Sequence, residues 1–148
     1  MATRITHFFH NSTVTGSQAL GTAFNVADVH IHDLKGGQAP IVNQNRNWYG
    51  KLEGLVIKLL SGGAPSATKV SVRICSDPGG DVVLVPDTEA TLVAGVTTTT
   101  LQSATYSISL PFYQTLNFPG NGTLYVFAKV DNAGTPPVMA ETSLTWSE

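Results

Sequence analysis

Thr123-Leu124-Tyr125-Val126-Phe127-Ala128-Lys129-Val130 and Val138-Met139-Ala140-Glu141-Thr142-Ser143-Leu144-Thr145-Trp146 decide the fold. In the first run Leu124, Val126, Ala128 and Val130 share one parity, opposite Tyr125, Phe127 and Lys129. In the second, Val138, Ala140, Thr142, Leu144 and Trp146 oppose Met139, Glu141, Ser143 and Thr145. Successive side chains on a strand point to opposite faces, so alternation of this kind predicts half-buried strands. Between the runs lies Asp131-Asn132-Ala133-Gly134-Thr135-Pro136-Pro137, a cluster of turn formers. The two runs should therefore pair antiparallel.

The same period continues upstream. Tyr106, Ile108 and Leu110 alternate with Ser107 and Ser109, and Pro111 is expected to end that strand. Leu55, Ile57 and Leu59 oppose Val56, Lys58 and Leu60. Val70, Val72 and Ile74 oppose Ser71, Arg73 and Cys75. Asp77-Pro78-Gly79-Gly80-Asp81 reads as a tight turn, because Pro presets φ and Gly tolerates positive φ. Short strands are expected at 81–86, ended by Pro86, and at 90–94, ended by Gly95. Phe24 and Val26 share one parity and Val29 and Ile31 the other, so a strand over 23–32 would need a bulge near Asp28.

Eight strands result, at about 23–32, 51–60, 68–76, 81–86, 90–94, 104–110, 123–130 and 138–146. Ile5–Phe9 adds a ninth strand or belongs to an N-terminal arm within 1–22. The expected fold is an all-β, antiparallel sandwich, an eight-stranded jelly roll. The longer connections, 33–50 and 111–122, suit Greek-key crossovers. No linker divides the 148 residues, and one domain is expected.

Composition narrows the functional classes. Charged residues are 12% of the chain, against about 25% in an ordinary soluble domain. Hydrophobic residues are 42%, which argues against disorder. Only 8 Lys plus Arg are present, too few for a surface that tracks phosphates, so no direct nucleic-acid contact is expected. The N-terminus lacks the basic and apolar regions of a signal peptide, and no apolar run is long enough for a membrane helix. Asn11-Ser12-Thr13 and Asn121-Gly122-Thr123 match glycosylation sequons, with no export signal to make them meaningful. The single cysteine, Cys75, excludes an intrachain disulfide and reads as a half-buried strand residue.

His30-Ile31-His32-Asp33 is the strongest chemical motif. Two imidazoles of one parity can share a metal. A cupin-like site would need a following Glu and a later glycine-framed His, but Gly36 and Gly37 follow and no His lies beyond His32. A metal would need His7, His10, Asp28 or Asp33 in addition. The alternative places His30 and His32 as polar strand residues at a surface or subunit contact. Asp77 and Asp81 could face a calcium ion, but calcium gathers about 6–8 oxygens and turn chemistry already explains both residues. The carboxylates are too sparse for a glycosidase pair, and no nucleophile elbow, catalytic triad, P-loop or dinucleotide fingerprint occurs. No enzyme activity and no cofactor are expected.

Aromatic residues gather beside the two long connections: Trp48, Tyr49, Phe112, Tyr113 and Phe118. They could stack on sugar rings, plug the open ends of a sandwich, or bury in a subunit interface, where aromatics are enriched. In His7-Phe8-Phe9-His10, two adjacent phenylalanines suit an arm that packs on a neighbour. The expected interface residues are Ile5, Phe8, Phe9, Trp48, Tyr49, Phe112 and Tyr113.

Residues 69–92 (KVSVRICSDPGGDVVLVPDTEATL), 123–135 (TLYVFAKVDNAGT) and 143–148 (SLTWSE) resemble small virion proteins of tailed bacteriophages. Those chains are short, rich in Thr, Val and Gly, poor in Cys, and built as jelly rolls. The resemblance covers roughly residues 50–148 and rests on strand layout more than on one motif. It implies a non-enzymatic capsid decoration (cement) or minor head protein, located in the virion and assembled in the host cytoplasm. Its implied partners are the major capsid protein or other virion subunits, together with further copies of itself, a trimer by analogy. The rival expectation is a carbohydrate-binding module of a phage fibre or cell-surface protein. Low charge fits a covered surface: Ser71, Ser107, Ser109, Ser143 and Thr145 present short hydroxyls that cost less to desolvate than charges.

Overall fold

The structure is a computed structural model that describes residues 6–10, 13–14, 19–26, 29–33, 48–61, 67–92, 104–118 and 122–147. Nine strands follow in chain order: β1 (Thr6–His10), β2 (Thr13–Val14), β3 (His30–Asp33), β4 (Trp48–Ser61), β5 (Lys69–Cys75), β6 (Val83–Thr91), β7 (Ala104–Phe118), β8 (Thr123–Val130) and β9 (Val138–Ser147). No α-helix occurs among the described residues. A four-stranded sheet has the order β1-β9-β4-β7, and a five-stranded sheet the order β2-β3-β8-β5-β6. All pairings are antiparallel. Four of them are nested in the chain: β5 with β6, β4 with β7, β3 with β8, and β1 with β9. Two more, β4 with β9 and β5 with β8, join these pairs side by side.

The inner faces of the two sheets make one core. Leu55, Ile57 and Leu59 of β4 and Leu144 and Trp146 of β9 belong to it. So do Val70, Val72 and Ile74 of β5 and Leu124, Val126 and Ala128 of β8. The period-2 reading of these four segments holds except at the start of β9, where an extra residue at Ala140 shifts the register, puts Met139 in the core and leaves Val138 half-buried. The expected β8–β9 pair is corrected: the turn 131–137 carries the chain from one sheet to the other, so the two strands do not pair. Apolar burial of this kind contributes about 25 cal/mol per Å² removed from water and is the main force closing the sandwich.

Two expected strand ends are corrected. Pro86 does not end a strand: β6 runs through it, and 81–86 and 90–94 give way to the single element Val83–Thr91. β7 likewise runs through Pro111 to Phe118, so 111–118 is strand and not connection. Both prolines sit on edge strands beside bulges. Val72 and Ile74 pair with Thr88 and Val85, leaving an extra residue at Pro86–Asp87. Leu52 and Gly54 pair with Gln114 and Pro111, leaving an extra residue at Phe112–Tyr113. Edge strands and bulges are where a missing N–H costs least. At Gly54 an added Cβ would lie 3.3 Å from the Leu110 carbonyl, so this crossing favours glycine.

The N-terminal third differs most from expectation. Phe8 and Phe9 lie in β1, an edge strand hydrogen-bonded to β9, which makes this segment the extra strand. Ile5 lies outside the described residues, as does the expected bulge at Asp28. The strand expected at 23–32 shrinks to His30–Asp33, and residues 22–26 are irregular, with no strand among them. Leu20, within the segment expected as an arm, is buried in the core. Its backbone N–H donates to the Pro137 carbonyl at 2.8 Å, and the Val130 N–H donates to the Gly21 carbonyl at 3.0 Å. These bonds tie residues 19–21 to the turn between β8 and β9.

Candidate functional site

Register gathers the expected contact aromatics at one end of the β4–β7 pair. Trp48 stands opposite Phe118 and Tyr49 opposite Asn117, with Phe112 and Tyr113 in the bulge a few pairs further on. β9 pairs with β4 only as far as Lys51, so positions 48–50 extend past its last pair. The end of the β4–β7 ribbon therefore overhangs β9. β7 is the outer strand of its sheet, and its fifteen residues include no charged side chain. Long, uncharged edge strands offer unpaired backbone groups to another chain. Phe8 and Phe9 are not brought to this place. They lie on β1, at the opposite edge of the same sheet, about three strand spacings (~14 Å) away.

His30 and His32 take another role. They are 1% and 0% exposed, which corrects their expected place at a surface or subunit contact. Their shared parity points inward from β3, across the sandwich to β9. His30 Nε2 lies 3.0 Å from the Met139 carbonyl oxygen, and His30 Nδ1 lies 3.2 Å from Thr142 Oγ1. His32 Nε2 lies 2.7 Å from the same hydroxyl. A carbonyl only accepts, so His30 carries its proton on Nε2 when neutral. The Thr142 hydroxyl then donates to His30 Nδ1, which uses its single proton, and His32 Nε2–H donates to the hydroxyl oxygen. Three side chains and one carbonyl thus form a consistent buried chain from sheet to sheet. Burial holds the His30 pKa below its usual 6.5, opposed by the bond to the Met139 carbonyl. Among the described residues no group of three or more His, Cys, Asp or Glu is placed to hold a metal.

The turn at Asp77 is closed by its own backbone. One carboxylate oxygen accepts from the Val82 N–H at 2.7 Å and the other from the Asp81 N–H at 3.1 Å. These bonds lower the Asp77 pKa, the Val82 amide contributing most. Gly80 has φ +79°, a left-handed conformation, and an added Cβ would meet the Phe127 ring at 3.4 Å.

A cluster unforeseen in the sequence covers the outer face of the five-stranded sheet. Val29, Cys75 and Phe127 are buried there, with Phe24, Ile31 and Tyr125 packed against them. The Arg73 guanidinium sits 4.5 Å and the Lys129 ammonium 4.7 Å from the centre of the Phe24 ring. Asp87 accepts from Arg73 Nε at 2.7 Å and lies 3.8 Å from Lys129 Nζ. The Arg73 hydrogen bond is the main reason its pKa is lowered. The outward parity of Arg73 and Lys129 was legible, but the register of β6 and the path of residues 22–26 were not. Cys75 is fully buried rather than half-buried, and burial first, then Asp77, pushes its thiol up to about 11. A thiol so shifted is a packing residue at neutral pH.

The arrangement can do two things chemically: offer a strand edge without charged residues, with aromatic positions gathered at one end of its ladder, and bond two buried imidazoles between the sheets. No family model matches the chain, and no curated protein is detectably similar to it.

Proposed function

We propose that the chain is a non-enzymatic virion structural protein, a capsid decoration or minor head protein on a jelly roll, which acts through contacts with other subunits. The observation that carries this is the β4–β7 end of the four-stranded sheet. Register brings Trp48 and Tyr49 of β4 near Phe112 and Tyr113 of β7, a fifteen-residue edge strand without a charge. The strand order supports the jelly roll: with the two-residue β2 set aside, four nested pairs fold over as one long hairpin, four strands to a sheet. The resemblance of residues 50–148 to small phage virion proteins supplies the functional class. The partners are the major capsid protein or other virion subunits, and further copies of the chain, in a particle assembled in the host cytoplasm.

The test is co-sedimentation with capsids, together with mass by analytical ultracentrifugation. Binding to capsids that falls at least tenfold in Trp48→Ala or Tyr113→Ala supports the proposal. A strictly monomeric protein that neither co-sediments with capsids nor occurs in purified virions overturns it. The gathering of aromatics also favours a second reading, sugar binding by stacking at the same end. Glycan-array binding abolished by Trp48→Ala, without capsid binding, would select it.

A further inference from the structure

We propose that the His30–Thr142–His32 chain is an acid-sensitive latch that holds β3 against β9 at neutral pH and lets this flank of the sandwich part on acidification.

The latch follows from proton accounting. In the neutral state every hydrogen bond has one donor and one acceptor: His30 Nε2–H to the Met139 carbonyl, Thr142 O–H to His30 Nδ1, and His32 Nε2–H to Thr142 Oγ1. A proton arriving at His30 Nδ1 breaks this pattern. Two N–H groups then face the Thr142 oxygen, and its hydroxyl proton must turn away. A positive charge also stands between the sheets, on a ring that is 1% exposed. Burying a charge without a counterion is costly.

The neighbours give that charge no described counterion. β3 packs against β8, β2, β1 and β9. On β8 the titratable residues are Tyr125 and Lys129, both of outward parity, and Lys129 is turned to Phe24 and Asp87. β2 has none. β1 carries His7 and His10, in register with Trp146 and Ser143. β9 carries Glu141, exposed and 4.0 Å from Lys58 on the outer face. β3 itself ends at Asp33, paired with Thr123.

The direction with pH is set by linkage. With its folded pKa below 6.5, His30 binds fewer protons folded than unfolded, so stability rises with pH in the window between the two values. The contribution is complete above 6.5 and is lost as pH falls from there to the folded value. Within that window the unfolding constant rises up to about tenfold per pH unit. The latch spans a flank of short strands, so its loss should part β3 from β9 before the longer strands yield.

The experiment uses the full chain between pH 7.5 and 5.0 at constant ionic strength. Urea midpoints, hydrogen-exchange protection factors and the imidazole NMR titration of His30 are measured together. The latch predicts a midpoint that falls below pH 6.5, protection lost in 30–33 sooner than in 124–130, and a His30 ring still neutral in the folded protein at pH 6.5. His7→Gln/His10→Gln should keep the pH dependence, because its source is on β3. A flat midpoint, equal loss of protection in both segments, a His30 ring that titrates at or above 6.5, or a dependence that vanishes in the β1 variant overturns the proposal. If that variant fails to fold, the His30 titration in the unmodified chain decides.

Discussion

The two flanks of this sandwich are closed by different physics. β1, β2 and β3 have five, two and four residues, and β3 meets β9 through imidazoles and a hydroxyl. β4 to β9 have seven to fifteen residues and meet through Leu, Ile, Val and Trp. An apolar seam is non-directional, tolerates pH change, and grows with strand length. A polar seam binds only while each donor meets an acceptor, and it fails at once when a proton is added. The short flank can therefore be both well bonded at neutral pH and the first to open.

The largest effect should come from the apolar seam. Ile74→Ala empties a fully buried position on β5 and should cost about 2–5 kcal/mol. Urea melts should show both flanks lost in one transition. If residues 30–33 kept their protection while β5 exchanged, the short flank would be the independent one and the contrast would be reversed.

Thr142→Val keeps the shape of the side chain and removes the hub of the polar seam. Leaving buried nitrogens without that hydroxyl should cost about 1–3 kcal/mol. Protection should fall in β3 more than in β5. A neutral or stabilising result would show that the seam contributes no net stability at pH 7.5.

Gly80→Ala forces a left-handed φ of +79° on an L side chain and presses on Phe127. The expected loss is about 1–2 kcal/mol, read by thermal melting, and it should be felt at the outer face rather than in either seam. The smallest effect belongs to Lys69 and Glu89, 3.7 Å apart with side chains 53% and 61% exposed. Lys69→Ala should change stability by no more than about 1 kcal/mol, and the change should vanish in high salt.

A second acid window sharpens the comparison. Asp131 accepts from the Thr68 hydroxyl at 2.6 Å and from the Thr68 and Lys69 backbone N–H groups at 2.9 and 3.1 Å. These bonds, the hydroxyl first, hold its pKa at about 2 against 3.8. A depressed carboxylate contributes stability above its unfolded value, and loses it as pH falls from 3.8 through about 2. Acid titration of stability should thus show two steps. The first, from 6.5 downward, belongs to His30 and the short flank. The second, below 3.8, is shared with Asp77 and Asp87, whose pKa values are also lowered, and should shrink in Asp131→Asn while the first remains.

The late strands were legible because hydrophobic alternation is strong there and each turn is marked by Gly, Pro, Asn or Asp. The ends of β6 and β7 were misread because Pro86 and Pro111 are strand breakers only inside a sheet. Their tolerance depends on lying at an edge, and edge position is a property of the assembled sheet. Of the candidate contact residues, the closeness of Trp48 and Tyr49 to Phe112 and Tyr113 in sequence terms was absent. It arises from pairing across more than fifty residues. The Arg73–Asp87–Lys129 cluster around Phe24 was hidden for the same reason.

The expected pairing of β8 with β9 does not form, because the two strands lie in different sheets. From the residues alone came the all-β class, the alternating sets of β4, β5, β8 and most of β9, and the common parity of His30 and His32. Those are local properties, since a period of two states which side chains share a face. Which face is interior was left to the packing of one sheet on the other. For His30 and His32 that choice is what matters: the same parity facing water would have made two ordinary surface imidazoles. Facing Met139 and Thr142 it makes a buried pair, three of whose nitrogens are committed to holding two sheets together.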